Sequence, residues 1–375
     1  MNLNFDFRWQ MAELVAETIK LNQIPAPTFE EGHKAEFVKA CFETIGLSQV
    51  RRDRVGNVLA YLPGQDSRQE VVLAAHLDTV FPAGTDLAVK QENGCLFGAG
   101  IGDNNLAVAA LLALARAFIR LEVKPRYPIL FAATVGEEGL GDLYGIRGLL
   151  QDYQAEKRQI SGLVAIEGHG LGNICHQGVG SRRMRVSISG PGGHSWDKAG
   201  KPSAIHGLAK LMQRMTEVPI PTEPRTSFNI GTIAGGISVN TIAPAATMVF
   251  EVRSLDEAVL AETFDKLNAI IASFEVKGLA LETAMVGNRP AGKIPATSPI
   301  VELCRQVYQA LKLEPTYVPF STDANLALSL GLPAVCLGIS RGGNAHRSDE
   351  WIEIEPAVLG LQALAQITLG LAGHE

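Results

Sequence analysis

The sequence has no closely spaced cysteine pair, no surplus of basic charge and no apolar run long enough to cross a bilayer. Its five cysteines, Cys41, Cys95, Cys175, Cys304 and Cys336, are odd in number, widely scattered and never in a CxxC arrangement. That pattern argues against a thiolate zinc site or a disulfide framework and reads as reduced thiols of a cytoplasmic protein. A net charge of −6 argues against nucleic acid or an anionic membrane as a partner. Where a signal peptide would need an apolar core, the N-terminus carries Asn4, Asp6, Arg8 and Gln10. The most apolar helical stretch, Leu106–Ile119, contains Arg116 and is too short for a membrane span. Two absent motifs narrow the chemistry further. No HExxH helix exists, which disfavours a mononuclear zinc protease, and the glycine-rich stretch 97–105 has neither GxxxxGK[ST] nor a basic residue to cradle phosphate.

What is present is a chain of 375 residues, 46% hydrophobic, enough for a large core and two or three domains. It is organised around Val71–Val80. Five small or β-branched apolar residues run into His76, Leu77 and Asp78, the pattern of a strand buried on both faces. Function in such sheets gathers at the carboxyl ends of the strands. Residues i and i+2 share a strand face, so Asp78 can reach the His76 imidazole, as a carboxylate orienting a metal-bound histidine does. A strand-end histidine with a capping aspartate is the plain structural alternative. Before this strand, helices are predicted over 9–22 and 30–45 and a strand over Val55–Leu62.

After it, Gly98, Gly100 and Gly102 lead into Asp103 at the start of the apolar helix, where an N-cap role would suffice to explain it. Tyr127–Val135 reads as a strand ending in the adjacent carboxylates Glu137 and Glu138. Such a pair repels unless a cation holds one member and a proton the other, as where one glutamate binds metal and the other is general base. Leu163–Ile166 ends at Glu167, and Ala334–Gly338 is followed by His346. Two imidazoles and several carboxylates on strand ends or the loops after them, with no thiolate, suit a pair of divalent ions such as zinc, cobalt or manganese. Between about 180 and 288 the pattern changes to β-α-β-β-α-β, an open-faced sandwich inserted into the larger domain.

The stretches HLDTV (76–80), GIGDNN (100–105), GEEGLGD (136–142), AIEG (165–168), GPGGHS (190–195), Asn240 to Arg253, and GGNAHRSDEW (342–351) resemble, in order, those of the M20 family of dinuclear metallopeptidases and amidohydrolases. The resemblance implies an α/β catalytic domain, with a mixed central sheet flanked by helices, over 1–179 and 290–375. It also implies an inserted α+β, ferredoxin-like lid and dimerisation domain over 180–289. His76 and Glu167 would bind one ion, Glu138 and His346 the other, with Asp103 bridging both. Glu137 would be the general base and Asp78 would orient His76. His194 would reach the oxyanion, commonly from a partner subunit, and Asn240 and Arg253 would bind a substrate carboxylate. Arginine suits that task as a planar, permanently charged fork.

The implied activity is hydrolysis of amide bonds in small substrates, short peptides first. N-acyl amino acid deacylation is the alternative, and a non-catalytic peptide-binding protein is the outlying reading. Expected partners are the small substrate and a second copy of the chain through the lid, whose hinges near 178–182 and 287–291 would allow opening and closing. Several features depart from the family pattern. Asn104-Asn105-Leu106 stands where many members have a Lys-Gly pair, and Trp196 follows His194-Ser195 where smaller residues are common. His169 reads as a surface or pocket-rim residue, His206 as a helix-packing position, and His33 and His374 as exposed. Asp323, in the Ser321–Asn325 segment, is a candidate to support the site.

Overall fold

A computed structural model describes residues 6–373, so Asn4 and His374 lie outside the described residues. The chain divides into two compact units, 1–178 with 293–375, and 179–292.

The larger unit is built on an eight-stranded mixed sheet. Its order is Ser48–Arg52, Val58–Leu62, Ile129–Thr134, Gln69–His76, Gln159–Glu167, Ala334–Gly338, Asn173–Cys175 and Thr316–Tyr317. The four central strands run parallel, and every residue of Ile129–Thr134 and Ala334–Gly338 is buried. Gln69–His76 is likewise buried past its first residue. That accounts for their unbroken apolar runs, since helices cover both faces of such strands. The parallel connection from Gln69–His76 to Ile129–Thr134 carries the helix Ala107–Arg120. This helix packs against the helices Met11–Asn22, Gly32–Ile45 and Ala357–Leu371 and against the sheet, with nearly all of its length buried.

A separate antiparallel sheet decides where the site loops meet. The hairpin of Gly342–Gly343 and Trp351–Glu353 pairs with Cys95–Phe97, which pairs with Lys90–Glu92. The loop that carries His346 thereby lies beside the chain entering the Asp103 loop.

The smaller unit is a four-stranded antiparallel sheet in the order Thr226–Gly235, Ala245–Ser254, Gly180–Ser189, Ala280–Arg289. Ala245–Ser254 alternates buried and part-exposed residues. The buried side chains, Met248, Phe250 and Val252, share a core with Leu208, Leu211, Phe264 and Leu267 of the helices Ala204–Thr216 and Glu257–Ala272. This is the β-α-β-β-α-β order of the alternating sequence pattern.

Three expectations are corrected. The strand expected from Val55 begins at Val58, because Asp53 Oδ1 accepts hydrogen bonds from the N–H groups of Val55, Gly56 and Asn57 and closes a turn there. His206 is exposed on its helix, not packed. The apolar helix, together with the irregular turn before it, spans 20 residues, long enough by length and composition to cross a membrane. Its burial, 89% over the apolar window, marks it as a core helix.

Leu111 is fully buried within that helix. Leu111→Ala is expected to destabilise the larger unit by about 2–5 kcal/mol, read as a lower urea midpoint by circular dichroism. A loss below about 1 kcal/mol would show that the helix is not packed to interior density.

Candidate metal centre

The site of the larger unit is assembled where the parallel strands end. His76 is the last residue of its strand and Glu167 of the neighbouring one, while Glu137 and Glu138 follow Ile129–Thr134 by three and four residues. Asp103 sits in an irregular turn, Ile101–Leu106, and its peptide bond to Asn104 is cis. His346 has φ 65° in the hairpin loop and is half-exposed.

The side chains form overlapping clusters. His76, Asp103 and Glu167 make one, Asp103, Glu138 and His346 another, and His76, Glu137 and Glu138 a third; within each, potential ligand atoms lie within 4.8 Å of one another. Asp103 links the first two. Its Oδ1 is 3.2 Å from His76 Nε2, and its Oδ2 is 3.0 Å from His346 Nε2. His76 Nε2 lies 3.8 Å from Glu167 Oε2, and His346 Nε2 lies 3.1 Å from Glu138 Oε1. A carboxylate with one oxygen turned to each imidazole is compatible with a ligand shared by two ions. The nitrogen and oxygen donors, with no sulfur, fit divalent metals of the zinc, cobalt or manganese kind.

Asp78 has a wider task than orienting His76. His76 Nδ1 is 3.1 Å from the Asp78 backbone oxygen and 3.5 Å from Oδ1, so the carbonyl is the nearer acceptor. The Asp78 carboxylate instead accepts from the N–H groups of Glu137 (3.0 Å) and Glu138 (2.9 Å) and from Thr28 Oγ1 (2.9 Å). It holds both glutamates by their backbone. Glu31, buried, accepts from the N–H groups of Phe29 and Gly136 and ties the loop before Glu137 to the N-terminal segment.

The charges respond as a crowded acidic site requires. Burial and the neighbouring charges of Asp103 and Glu137 push the Glu167 pKa well up, although His76 opposes them. For Asp103 burial acts upward too, but His346 and His76 outweigh it and the carboxyl is held down. Burial opposes a charged His76 ring, yet Asp103, Asp78, Glu167 and Glu137 together hold its pKa well above the ordinary imidazole value. Hydrogen bonds with Asp103 and then Glu138 raise His346 to about 10.

Three supporting residues escaped the sequence reading. Lys34, fully buried, donates from Nζ to Asn105 Oδ1 at 2.8 Å, and burial pulls its pKa down to about 7. Asn105 in turn donates to the Gly100 carbonyl, and Asn104 bonds both Ile166 O and Gly168 N. The Asn-Asn pair thus pins the turn around Asp103, with the Lys34 amine arriving from a different helix. Glu350, fully buried, accepts from the N–H groups of Gly100, Gly102 and Asp103. His169, expected at the surface or rim, donates to Glu350 at 2.8 Å beneath the Asp103 loop. Asp323 is buried and accepts from Thr134 Oγ1 at the end of a central strand.

The chain matches the profile of peptidase family M20/M25/M40 over residues 72–369. It belongs to that family. It is 24% identical to the succinyl-diaminopimelate desuccinylase of Corynebacterium glutamicum over 92% of this chain and 93% of that one. The aminopeptidase PepT of Bacillus cereus superposes with a TM-score of 0.75 at 21% identity, covering 96% of this chain and 99% of that one. The YXEP protein of Bacillus subtilis, described as a dinuclear metal-binding peptidase of the M20 family, does so with a TM-score of 0.66 at 16% identity, covering 98% and 100%. The chain is therefore an M20-family hydrolase with an M20 peptidase fold.

The remaining residues implied by the family lie on the smaller unit. His194 is exposed and pairs with Thr241, while Ser195 N–H donates to the Asn240 carbonyl. His194 and Asn240 are therefore neighbours. Arg253 lies near the other end of Ala245–Ser254, about 26 Å along an extended strand, with its Nε donating to Glu251 at 2.8 Å. Within one chain, Arg253 and Asn240 do not meet. Trp196 is also exposed.

A metal-ligating imidazole must be deprotonated. With its pKa raised to about 10, His346 carries a proton at pH 7–8 in the metal-free protein, and an ion that takes its Nε2 displaces that proton. Metal affinity is accordingly expected to fall as pH drops from 8 to 6. Calorimetry in buffers of different ionisation enthalpy should show release of about one proton or more per pair of ions. Binding without proton release would contradict the assignment of His346.

Proposed function

We propose that this protein hydrolyses amide bonds in short peptides, using two divalent ions, zinc foremost, held by His76, Asp103, Glu138, Glu167 and His346. The observation that carries the reading is Asp103, one oxygen facing each histidine, with Glu137 beside the same cluster. Bound there, the ions would supply Lewis acidity toward the scissile carbonyl and the attacking water. Glu137, its backbone fixed by Asp78, takes a proton from that water and delivers it to the leaving amine. His194 stabilises the developing oxyanion. Its exposure on the smaller unit supports that availability, as does the proximity of Asn240. Arg253 is assigned separately to a substrate carboxylate.

Exposed apolar side chains near Gly136, one residue before the base, support substrates with an apolar side chain. Phe29, Leu140 and Tyr144 are 59%, 55% and 43% exposed. The rings of Phe29 and Tyr144 meet edge to face at 5.7 Å, and a Cβ on Gly136, one residue before Glu137, would lie 3.4 Å from the Phe29 ring and 3.0 Å from Tyr144 Cβ. A substrate side chain that covered this apolar surface would gain from its burial. The desuccinylase relative supports the alternative, release of an acid from an N-acyl amino acid, which shares the same ions and base.

Composition supports a cytoplasmic location. A homodimer through the smaller unit is supported by the edge strand Thr226–Gly235, with Ile233 and the adjoining Ile237 and Val239 exposed, a surface suited to strand pairing with a second copy.

The test is a substrate panel on metal-stripped protein restored with zinc, cobalt or manganese. Turnover of di- or tripeptides with apolar residues is the expected result. Turnover of N-succinyl or N-acetyl amino acids alone would establish the deacylase instead, and silence with every metal would overturn the catalytic reading. Glu137→Gln is expected to retain metal and lose about 10²–10⁴-fold in kcat; survival of kcat within tenfold would remove Glu137 as the base.

A further inference from the structure

The shared ligand, Asp103, is held by something other than its own turn. Glu350 is fully buried, and four donors converge on it. Oε1 accepts from Asp103 N–H at 2.7 Å, Gly102 N–H at 2.9 Å and His169 Nε2 at 2.8 Å, and Oε2 accepts from Gly100 N–H at 3.0 Å. An ionised carboxylate only accepts, so it matches a cradle made wholly of donors. Facing this acceptor, the His169 ring must carry its hydrogen on Nε2; its Nδ1 is buried with no partner.

The clamp joins three segments that each carry a ligand. Glu350 lies four residues after His346 in the hairpin loop, its acceptors hold residues 100–103, and His169 follows Glu167 by two residues. The approach is too close for side chains. A Cβ on Gly102 would sit 2.3 Å from His169 Nε2 and 2.9 Å from Glu350 Oε1, and one on Gly168 would sit 2.1 Å from Gly102 O.

We propose that Glu350, braced by His169, is a positioning residue that sets the Asp103 carboxylate between the two imidazoles and so determines metal affinity. The inference rests on the reading of Asp103 as the shared ligand. Replacing Glu350 by glutamine would turn an amide NH2 toward a ring of donors, and replacing His169 by phenylalanine would remove the brace. Partners that orient metal ligands commonly change affinity by about 10–100-fold when lost.

The experiment uses the full-length protein and its Asp103→Asn, Glu350→Gln, His169→Phe and His169→Gln variants. Zinc binding is measured by chelator competition and stoichiometry, and amide exchange over residues 98–105 is followed in metal-stripped protein. Asp103→Asn should bind fewer than the wild-type number of ions. Glu350→Gln and His169→Phe should bind zinc at least about tenfold more weakly and exchange faster over 98–105. His169→Gln, which keeps an N–H near the Nε2 position, should recover most of the affinity. Such rescue separates positioning from general packing, and if Glu350→Gln does not fold, the two His169 variants carry the test. Wild-type zinc affinity in Glu350→Gln and His169→Phe, with loss in Asp103→Asn, would overturn this inference alone. Wild-type binding in Asp103→Asn would overturn the ligand reading and this inference with it.

Discussion

Carboxylate repulsion is the constraint on which the structure turns. Asp78, Asp103, Glu137, Glu138 and Glu167 converge where parallel strands end, and most are buried or nearly so. Two like charges about 4 Å apart at an effective dielectric near 20 cost about 4 kcal/mol, against a total folding stability of only about 5–15 kcal/mol. Such a cluster persists only if positive charge is supplied or a carboxyl keeps its proton, the direction in which Glu167 is pushed. Protons on the imidazoles supply some of it, which is why His76 and His346 are held well above their ordinary pKa. Two divalent ions would supply more and displace those protons. The same crowding that makes the site costly in metal-free protein would favour the binding of divalent ions.

The scaffold meets this cost with backbone hydrogen bonds. Asp78 takes the N–H groups of Glu137 and Glu138, Glu31 takes that of Gly136, and Glu350 takes three from the Asp103 turn. Asp78, Glu31 and Glu350 thus serve as acceptors for the loops that carry the candidate ligands. Lys34, pushed toward neutrality by burial, reaches the same turn through Asn105. The smaller unit has its own sheet, helices and core.

The ends of the central strands were legible because a run such as Val71–Ala75 has no polar face and stops abruptly at His76. The alternation of Ala245–Ser254 was equally plain. What escaped has no period to betray it. Glu350 sits in the polar run Arg347–Glu350, and only the pairing of its hairpin with Cys95–Phe97 brings it beneath Asp103. His169, two residues past a strand end, looks like any loop histidine until that pairing is known. Lys34 did leave a trace: it lies four and eight residues before Val38 and Phe42 on the buried face of its helix, where a charged residue breaks the apolar stripe. The separation of Asn240 from Arg253 follows from strand length, since Asn240 precedes Ala245–Ser254 and Arg253 lies near its far end.

Asp103 is placed to serve two ions with one carboxylate. Anomalous scattering from crystals of the zinc-reconstituted protein, recorded on both sides of the zinc edge, tests it most directly. The account expects two zinc peaks about 3.5–4 Å apart, one against each oxygen of Asp103, with His76 on one side and His346 on the other. A single peak, or two that leave Asp103 uncoordinated, would contradict it.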